Sequence, residues 1–170
     1  MTYSLTFQAA VKGVLQREGV YAFDAADPGG ETNRGITKRN YPDLDIAAIT
    51  DDQATEIYWR DYWTALSCDA LPAVVALKLF DVAVNCGQQM AVVLLQRALN
   101  YLGHGIMIDG ILGPKTRMAV LGARKGALVC AMAGEQYQRY QDLIRRNPQL
   151  KTFAAGWAIR SMACLPREVT

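Results

Sequence analysis

Apolar residues recur along this chain with a helical period almost everywhere. Phe7, Val11, Val14 and Leu15 fall at i, i+4, i+7 and i+8, one stripe of an α-helix, and Glu18 at i+11 ends it. Thr6 is the candidate N-cap and Gly19 the candidate C′ residue. Asp45 caps a short helical turn, and Thr50-Asp-Asp-Gln53 reads as a capping box. The helix it opens carries Ala54, Ile57, Tyr58, Asp61 and Tyr62. Pro72 suits the first position of the next helix, where Val75, Leu79, Val82, Ala83 and Cys86 keep the period until Gly87. Ala91 to Leu102 forms another helix, ended by Gly103. One starts at Pro114, one runs from Ala127 to Arg146 and stops at Asn147-Pro148, and a last one carries Leu150, Phe153, Ala154, Trp157 and Arg160. No alternating strand pattern exceeds about four residues. The expected fold is mainly α, with at most a small hairpin, and Asp109-Gly110 in the glycine-rich connector Gly103–Pro114 is a site for one.

One stretch departs from this texture. Glu18 to Thr37 places Glu18, Asp24, Asp27 and Glu31 within 14 residues and adds Gly29, Gly30 and Gly35. Glycine lets the backbone approach a ligand closely. A polar turn with helix caps would use the same residue types. Glu18 is the more pointed case, because it closes an apolar face. A carboxyl there sits at the negative end of the helix dipole and against the core, and both effects favour the protonated form. A protonated carboxyl near neutral pH is what general-acid cleavage of a glycosidic bond requires.

Composition removes several alternatives. The chain has 170 residues, is 51% hydrophobic and 20% charged, and carries a formal charge of +2. It is long enough to bury a core. It lacks the basic run that nucleic-acid binding by bulk electrostatics needs. No 18-residue apolar run suggests a membrane span, and the N-terminus does not read as a signal peptide. The expectation is synthesis in the cytoplasm, with a pore or export system bringing the protein to a site of action beyond the membrane. Cys68, Cys86, Cys130 and Cys164 are scattered, without a C-x-x-C pair, and read as reduced core residues. His104 is the one histidine, set between glycines, so an H-E-x-x-H zinc site is excluded. Tyr58-Trp-Arg-Asp-Tyr-Trp63 holds four aromatics in six residues. They serve a core, or a groove where sugars stack on rings, which makes Tyr58 and Trp63 candidate substrate contacts. Asp81 and Asn85 share a face of an apolar helix, and Asn85 is a candidate for the cleft.

The segments E-G-V-Y, D-P-G-G-E-T-N-R-G-I-T, I-Y-W-R-D-Y-W and L-F-D-V-A-V-N-C-G together resemble glycoside hydrolase family 108, the N-acetylmuramidases of phage endolysins and secretion-linked murein hydrolases. The second half, with L-L-Q-R-A-L-N, D-G-I-L-G-P-K-T and F-A-A-G-W-A-I-R, is similar to the predicted peptidoglycan-binding module that follows in that family. The resemblance spans roughly residues 6 to 163. It implies a lysozyme-like helical region over 1–90, a peptidoglycan-binding-like region over 91–165 packed on it, and a short tail over 166–170. It also implies hydrolysis of the β-1,4 bond between N-acetylmuramic acid and N-acetylglucosamine, with peptidoglycan glycan strands as partner, a monomeric chain, and neither metal nor cofactor. Glu18 occupies the position of the family's catalytic glutamate, although Val20 replaces the second glycine of its E-G-G motif.

A second group must orient water or stabilise the oxocarbenium-like centre. Asp27 is the first choice, at a glutamate-to-aspartate separation of nine residues that also resembles phage-type lysozymes. Asp24 is the second, and Glu31 could instead pair with Arg34. Thr32 and Thr37 are candidates to hold the water or a sugar amide, with turn hydrogen bonding as their alternative role. A lytic transglycosylase, a hydrolase of another glycan, a wall-binding protein without catalysis, and a regulatory helical module are the competing readings.

Overall fold

The computed structural model describes residues 2–17, 22–23 and 31–162. These fall into two compact units, residues 1–65 and 66–170.

The first unit begins with α1 (Leu5–Arg17). Ser4 caps it, its hydroxyl accepting from Phe7 N at 3.3 Å, so the cap lies two residues earlier than the expected Thr6. The predicted stripe is buried at Phe7, Val11 and Val14. Then come β1 (Ala22–Phe23), β2 (Glu31–Asn33) and β3 (Ile36–Thr37), an antiparallel sheet in the order β1-β2-β3. A short turn region leads to α2 (Asp51–Tyr58), which continues into a wider π-helical turn over Trp59–Thr64. The capping box is formed: Gln53 N donates to Thr50 Oγ1 at 3.2 Å, and Thr50 N donates to Gln53 Oε1 at 2.9 Å. Phe7 meets the rings of Trp59 and Trp63 at 4.9 and 5.4 Å, and Tyr3 completes the cluster. Each fully buried ring or aliphatic chain here stabilises the unit by roughly 1.5–3 kcal/mol relative to exposure.

The second unit is a helical bundle. A 3₁₀ turn (Cys68–Ala70) precedes α3 (Ala73–Cys86). Gly87, at φ +82°, separates α3 from α4 (Gln88–Tyr101). α5 (Pro114–Gly122), α6 (Lys125–Arg146), a 3₁₀ segment (Pro148–Phe153) and α7 (Ala154–Ser161) follow. α3 packs against α4 and α6, α4 against α5, and α6 against α7. Leu79, Leu94, Leu95, Leu99, Leu128 and Met132 are fully buried among them.

The expected hairpin at Asp109-Gly110 does not form. α4 holds that connector through side-chain amides instead. Gln96 Oε1 accepts from the backbone of Asp109 and Gly110, while its Nε2 donates to Asp109 Oδ1 at 2.7 Å. Asn100 both donates to and accepts from the backbone of Ile106. Two buried or half-buried amides thus satisfy backbone groups that a strand partner would otherwise serve. Cys68 is buried as expected, but Cys130 is exposed, because its position on α6 faces away from the core. Cys164 lies outside the described residues.

Candidate functional site

Glu18, Asp24 and Asp27 lie outside the described residues. What the structure describes is the frame around them in sequence: α1 ending at Arg17, and β1 and β2, which meet at Phe23 and Glu31.

The register of the sheet brings two candidate residues together. Thr32 pairs with Thr37 across β2 and β3, and with Ala22 on β1. Directly opposed residues of an antiparallel pair share a face. Both threonines are half-buried, whereas their neighbours Asn33 and Ile36 face the core at 2% and 1% exposure. The alternation follows from the two-residue period of a strand. Thr37 Oγ1 accepts from Asn40 N at 3.4 Å.

The turn between β2 and β3 is Arg34-Gly35, with φ of +52° and +76°. Positive φ at both central residues is what a tight type I′ hairpin demands, and glycine meets it without a Cβ penalty. Arg34 is not a glycine, and four contacts hold it there. Its guanidinium pairs with Asp51, donates to Asn33 Oδ1 at 3.0 Å and donates to Ile49 O at 2.8 Å. Its carbonyl accepts from Tyr58 OH at 2.8 Å. Arg34 is thus ion-paired with Asp51, not with Glu31. Asn33 completes the arrangement, donating through Nδ2 to Ile46 O at 2.9 Å and Ala47 O at 3.1 Å.

Two sequence-based assignments need correction. Tyr58 and Trp63 have no exposed surface. A ring sealed in a core cannot stack on a sugar. Tyr58 anchors the hairpin through its hydroxyl and Trp63 packs against Phe7, so both are structural. Asn85, in the second unit, is exposed on the last turn of α3. Its Oδ1 accepts from Tyr140 OH at 2.5 Å and from Cys86 Sγ at 3.3 Å. Tyr140 in turn accepts from Gln136 Nε2 at 2.8 Å, and Gln136 Oε1 accepts from the fully buried Lys78 Nζ at 2.8 Å. Asn85 therefore ends a polar chain that runs into the second unit. Burial pushes the Tyr140 hydroxyl above its ordinary value, so it stays a donor to Asn85.

Residues that sequence reasoning passed over line a cleft of about 480 Å³ in the first unit. Leu44, Ile49 and Ile57 give it apolar walls, with Asn40, Gln53 and Glu56 as polar groups. At Tyr41 and Arg60 the cleft meets an exposed-to-half-buried network. Tyr41 OH donates to Asp61 Oδ2 at 2.8 Å, and Arg60 binds both oxygens of Asp61 at 2.6 and 2.7 Å. The Arg60 hydrogen bond holds the Asp61 carboxyl below the usual range; burial opposes it, and Tyr41 adds a smaller lowering. Burial and the Asp61 hydrogen bond raise the Tyr41 hydroxyl. The aromatic-charged run Tyr58–Trp63 was the signal available; it pointed at the rings rather than at Asp61 between them. Among the described residues no cluster of His, Cys, Asp and Glu could hold a metal ion.

Residues 11–87 match the family model Glycosyl hydrolase 108, and residues 90–162 match the model Predicted Peptidoglycan domain. Among solved structures, the chain is similar to Brucella abortus SagA, at 29% identity and a TM-score of 0.78, over 94% of this chain and 91% of that one. No curated protein matches the chain. The helical fold and these two modules define a glycoside hydrolase that acts on peptidoglycan. Residues 11–87 thus form a glycosyl hydrolase 108 domain, followed by a peptidoglycan-binding module over residues 90–162.

Proposed function

We propose that this protein is an N-acetylmuramidase that cleaves the β-1,4 bond between N-acetylmuramic acid and N-acetylglucosamine, with Glu18 as general acid. The observation that carries the reading is the match of residues 11–87, which span the whole carboxylate-rich stretch, to a glycosyl hydrolase family. In sequence Glu18 is the residue after Arg17, where α1 ends, and a carboxyl closing an apolar helical stripe is the kind that stays protonated. It protonates the leaving oxygen as the oxocarbenium-like centre develops. Asp27 orients the attacking water or stabilises that centre, with Asp24 beside it on the substrate. Thr32 and Thr37, opposed across β2 and β3, supply two hydroxyls on one sheet face for the water or a sugar amide. The setting is wall lysis by a phage endolysin or a secretion-linked murein hydrolase.

The test is digestion of purified peptidoglycan. Wild-type protein should release reducing ends, and Glu18→Gln should lose nearly all activity while keeping its circular dichroism spectrum. Product masses matching hydrated disaccharide units are expected. Anhydro products would replace this reading with a lytic transglycosylase, and full activity in Glu18→Gln would remove Glu18 from its role.

A further inference from the structure

Three arginines line a small cavity between two helices of the second unit. α4 contributes Met90, Leu94 and Arg97, at i, i+4 and i+7; α6 contributes Arg139, Asp142, Leu143 and Arg146, at i, i+3, i+4 and i+7. One stripe of each helix therefore faces the same space. The cavity holds about 190 Å³.

Among the described residues the charges there are unbalanced: Asp142 is the single carboxylate of theirs that lines the cavity, and it is already bonded to Arg145, which does not line it. Arg97 and Arg146 make no ion pair among the described residues. The Arg139 guanidinium lies against the Cys86 thiol, and its Nε is buried without a hydrogen-bond acceptor among them. The α6 dipole accounts for Arg146, in the last turn, but not for Arg139 in mid-helix. Leaving a buried guanidinium donor unmet costs free energy that a bound anion would recover. Clustered like charges are likewise relieved by an opposite charge.

We propose that this pocket binds a carboxylate of a peptidoglycan stem peptide. The guanidinium fork matches a carboxylate with two parallel hydrogen bonds. The cavity is smaller than the roughly 300–1,000 Å³ that encloses a whole drug-sized ligand, so it takes one ionic group and leaves the remainder outside. Where a stem peptide is attached, the lactyl carboxylate of N-acetylmuramic acid is consumed in the amide link, so the free carboxylates of such a strand belong to the peptide. This choice of ligand rests on the wall-directed reading of the module, and it gives that module a preference for strands whose stem peptides carry free carboxylates over strands whose peptide carboxylates are amidated.

Isothermal titration of the full chain with the synthetic tetrapeptide L-Ala-γ-D-Glu-L-Lys-D-Ala tests it. The expected result is saturable binding that weakens at least about tenfold when the peptide carboxylates are amidated, and about tenfold or more in Arg97→Gln/Arg146→Gln. Both residues are exposed, so the double variant should keep the wild-type helical spectrum. Absence of binding, equal affinity for the amidated peptide, or wild-type affinity in the double variant overturns the proposal. Competition by inorganic phosphate or acetate at the peptide's own concentration overturns the peptide assignment in favour of a general anion site. The tetrapeptide has no glycosidic bond, so these outcomes are separate from the reducing-end assay of Glu18.

Discussion

Asn33→Ala should be among the most damaging single changes available in the described part of the first unit. The side chain is 2% exposed and makes three hydrogen bonds: two donated to Ile46 O and Ala47 O, one accepted from Arg34. Truncation removes all three and leaves the Ile46 and Ala47 carbonyls without this donor. At about 1 kcal/mol per lost bond, with a further 1 kcal/mol or so for the orphaned Ile46 carbonyl, the cost is about 3–4 kcal/mol. Asn33→Asp is the sharper variant. It conserves shape but turns an acceptor oxygen toward two carbonyl oxygens, so it should destabilise at least as much as alanine. Urea unfolding, with the midpoint falling at unchanged slope, measures both. The consequence reaches the hairpin, because Asn33 sits between Thr32 and Arg34, and the backbone amide of Lys38, which donates to Glu31 O at 2.9 Å, should lose exchange protection. A cost below about 0.5 kcal/mol for Asn33→Ala, or wild-type stability for Asn33→Asp, would refute the account of what holds this hairpin.

Asp61 should titrate below the usual carboxylate range, and Arg60→Gln should raise its midpoint, as read by carboxyl carbon NMR. The sign follows from linkage: a carboxyl depressed in the folded state adds stability above its unfolded value, and loses it as pH falls through its folded value. Stability of the wild type should therefore drop below the ordinary carboxylate range more steeply than that of Arg60→Gln. Cys68, whose thiol burial pushes up to about 12, should resist alkylation at pH 8 until the chain is denatured, while the exposed Cys130 labels in the native state; peptide mass mapping distinguishes them.

Sequence periodicity located the helices because their stripes are long and their stops are chemical. Thr50 with Gln53, Gly87 and Asn147-Pro148 mark boundaries that the backbone obeys. It failed where a side chain, not a pattern, decides the outcome. The connector at Asp109-Gly110 carries a hairpin signature, yet Gln96 and Asn100 on α4 satisfy its backbone first. The sheet that does form lies in the glycine-rich stretch, where strands of two or three residues are too short to show a period. For the site, composition singled out Thr32 and Thr37 but could not show that they oppose each other, since register is set by the Arg34-Gly35 turn. Four clustered aromatics could not reveal which were sealed. Tyr58 and Trp63 are, because the amphipathic period of α2 and its π-helical extension turns them inward.

Helix α3 shows how a boundary along the chain and a boundary in space can differ. Its sequence belongs to the segment that matches Glycosyl hydrolase 108, residues 11–87, yet it packs with α4 and α6 in the second unit. Val75, Ala76, Leu79, Phe80, Val82 and Ala83 are all at most 1% exposed. They form one broad face, and Lys78 and Asp81, at 0% and 1% exposure, extend it around most of the helix, so it needs neighbours on several sides. A fragment ending at residue 90, the boundary suggested by the sequence, keeps α3 and deletes both helices that cover it. Exposing Val75, Leu79, Phe80 and Val82 forfeits roughly 1.5–3 kcal/mol each, of the order of the whole stability of a small domain. That fragment should therefore bind hydrophobic dye and aggregate, whereas residues 66–162 should yield a cooperative helical melt. A monomeric 1–90 fragment with dispersed amide signals and slowly exchanging α3 amides would show that α3 is stable without α4 and α6, and would undo the argument.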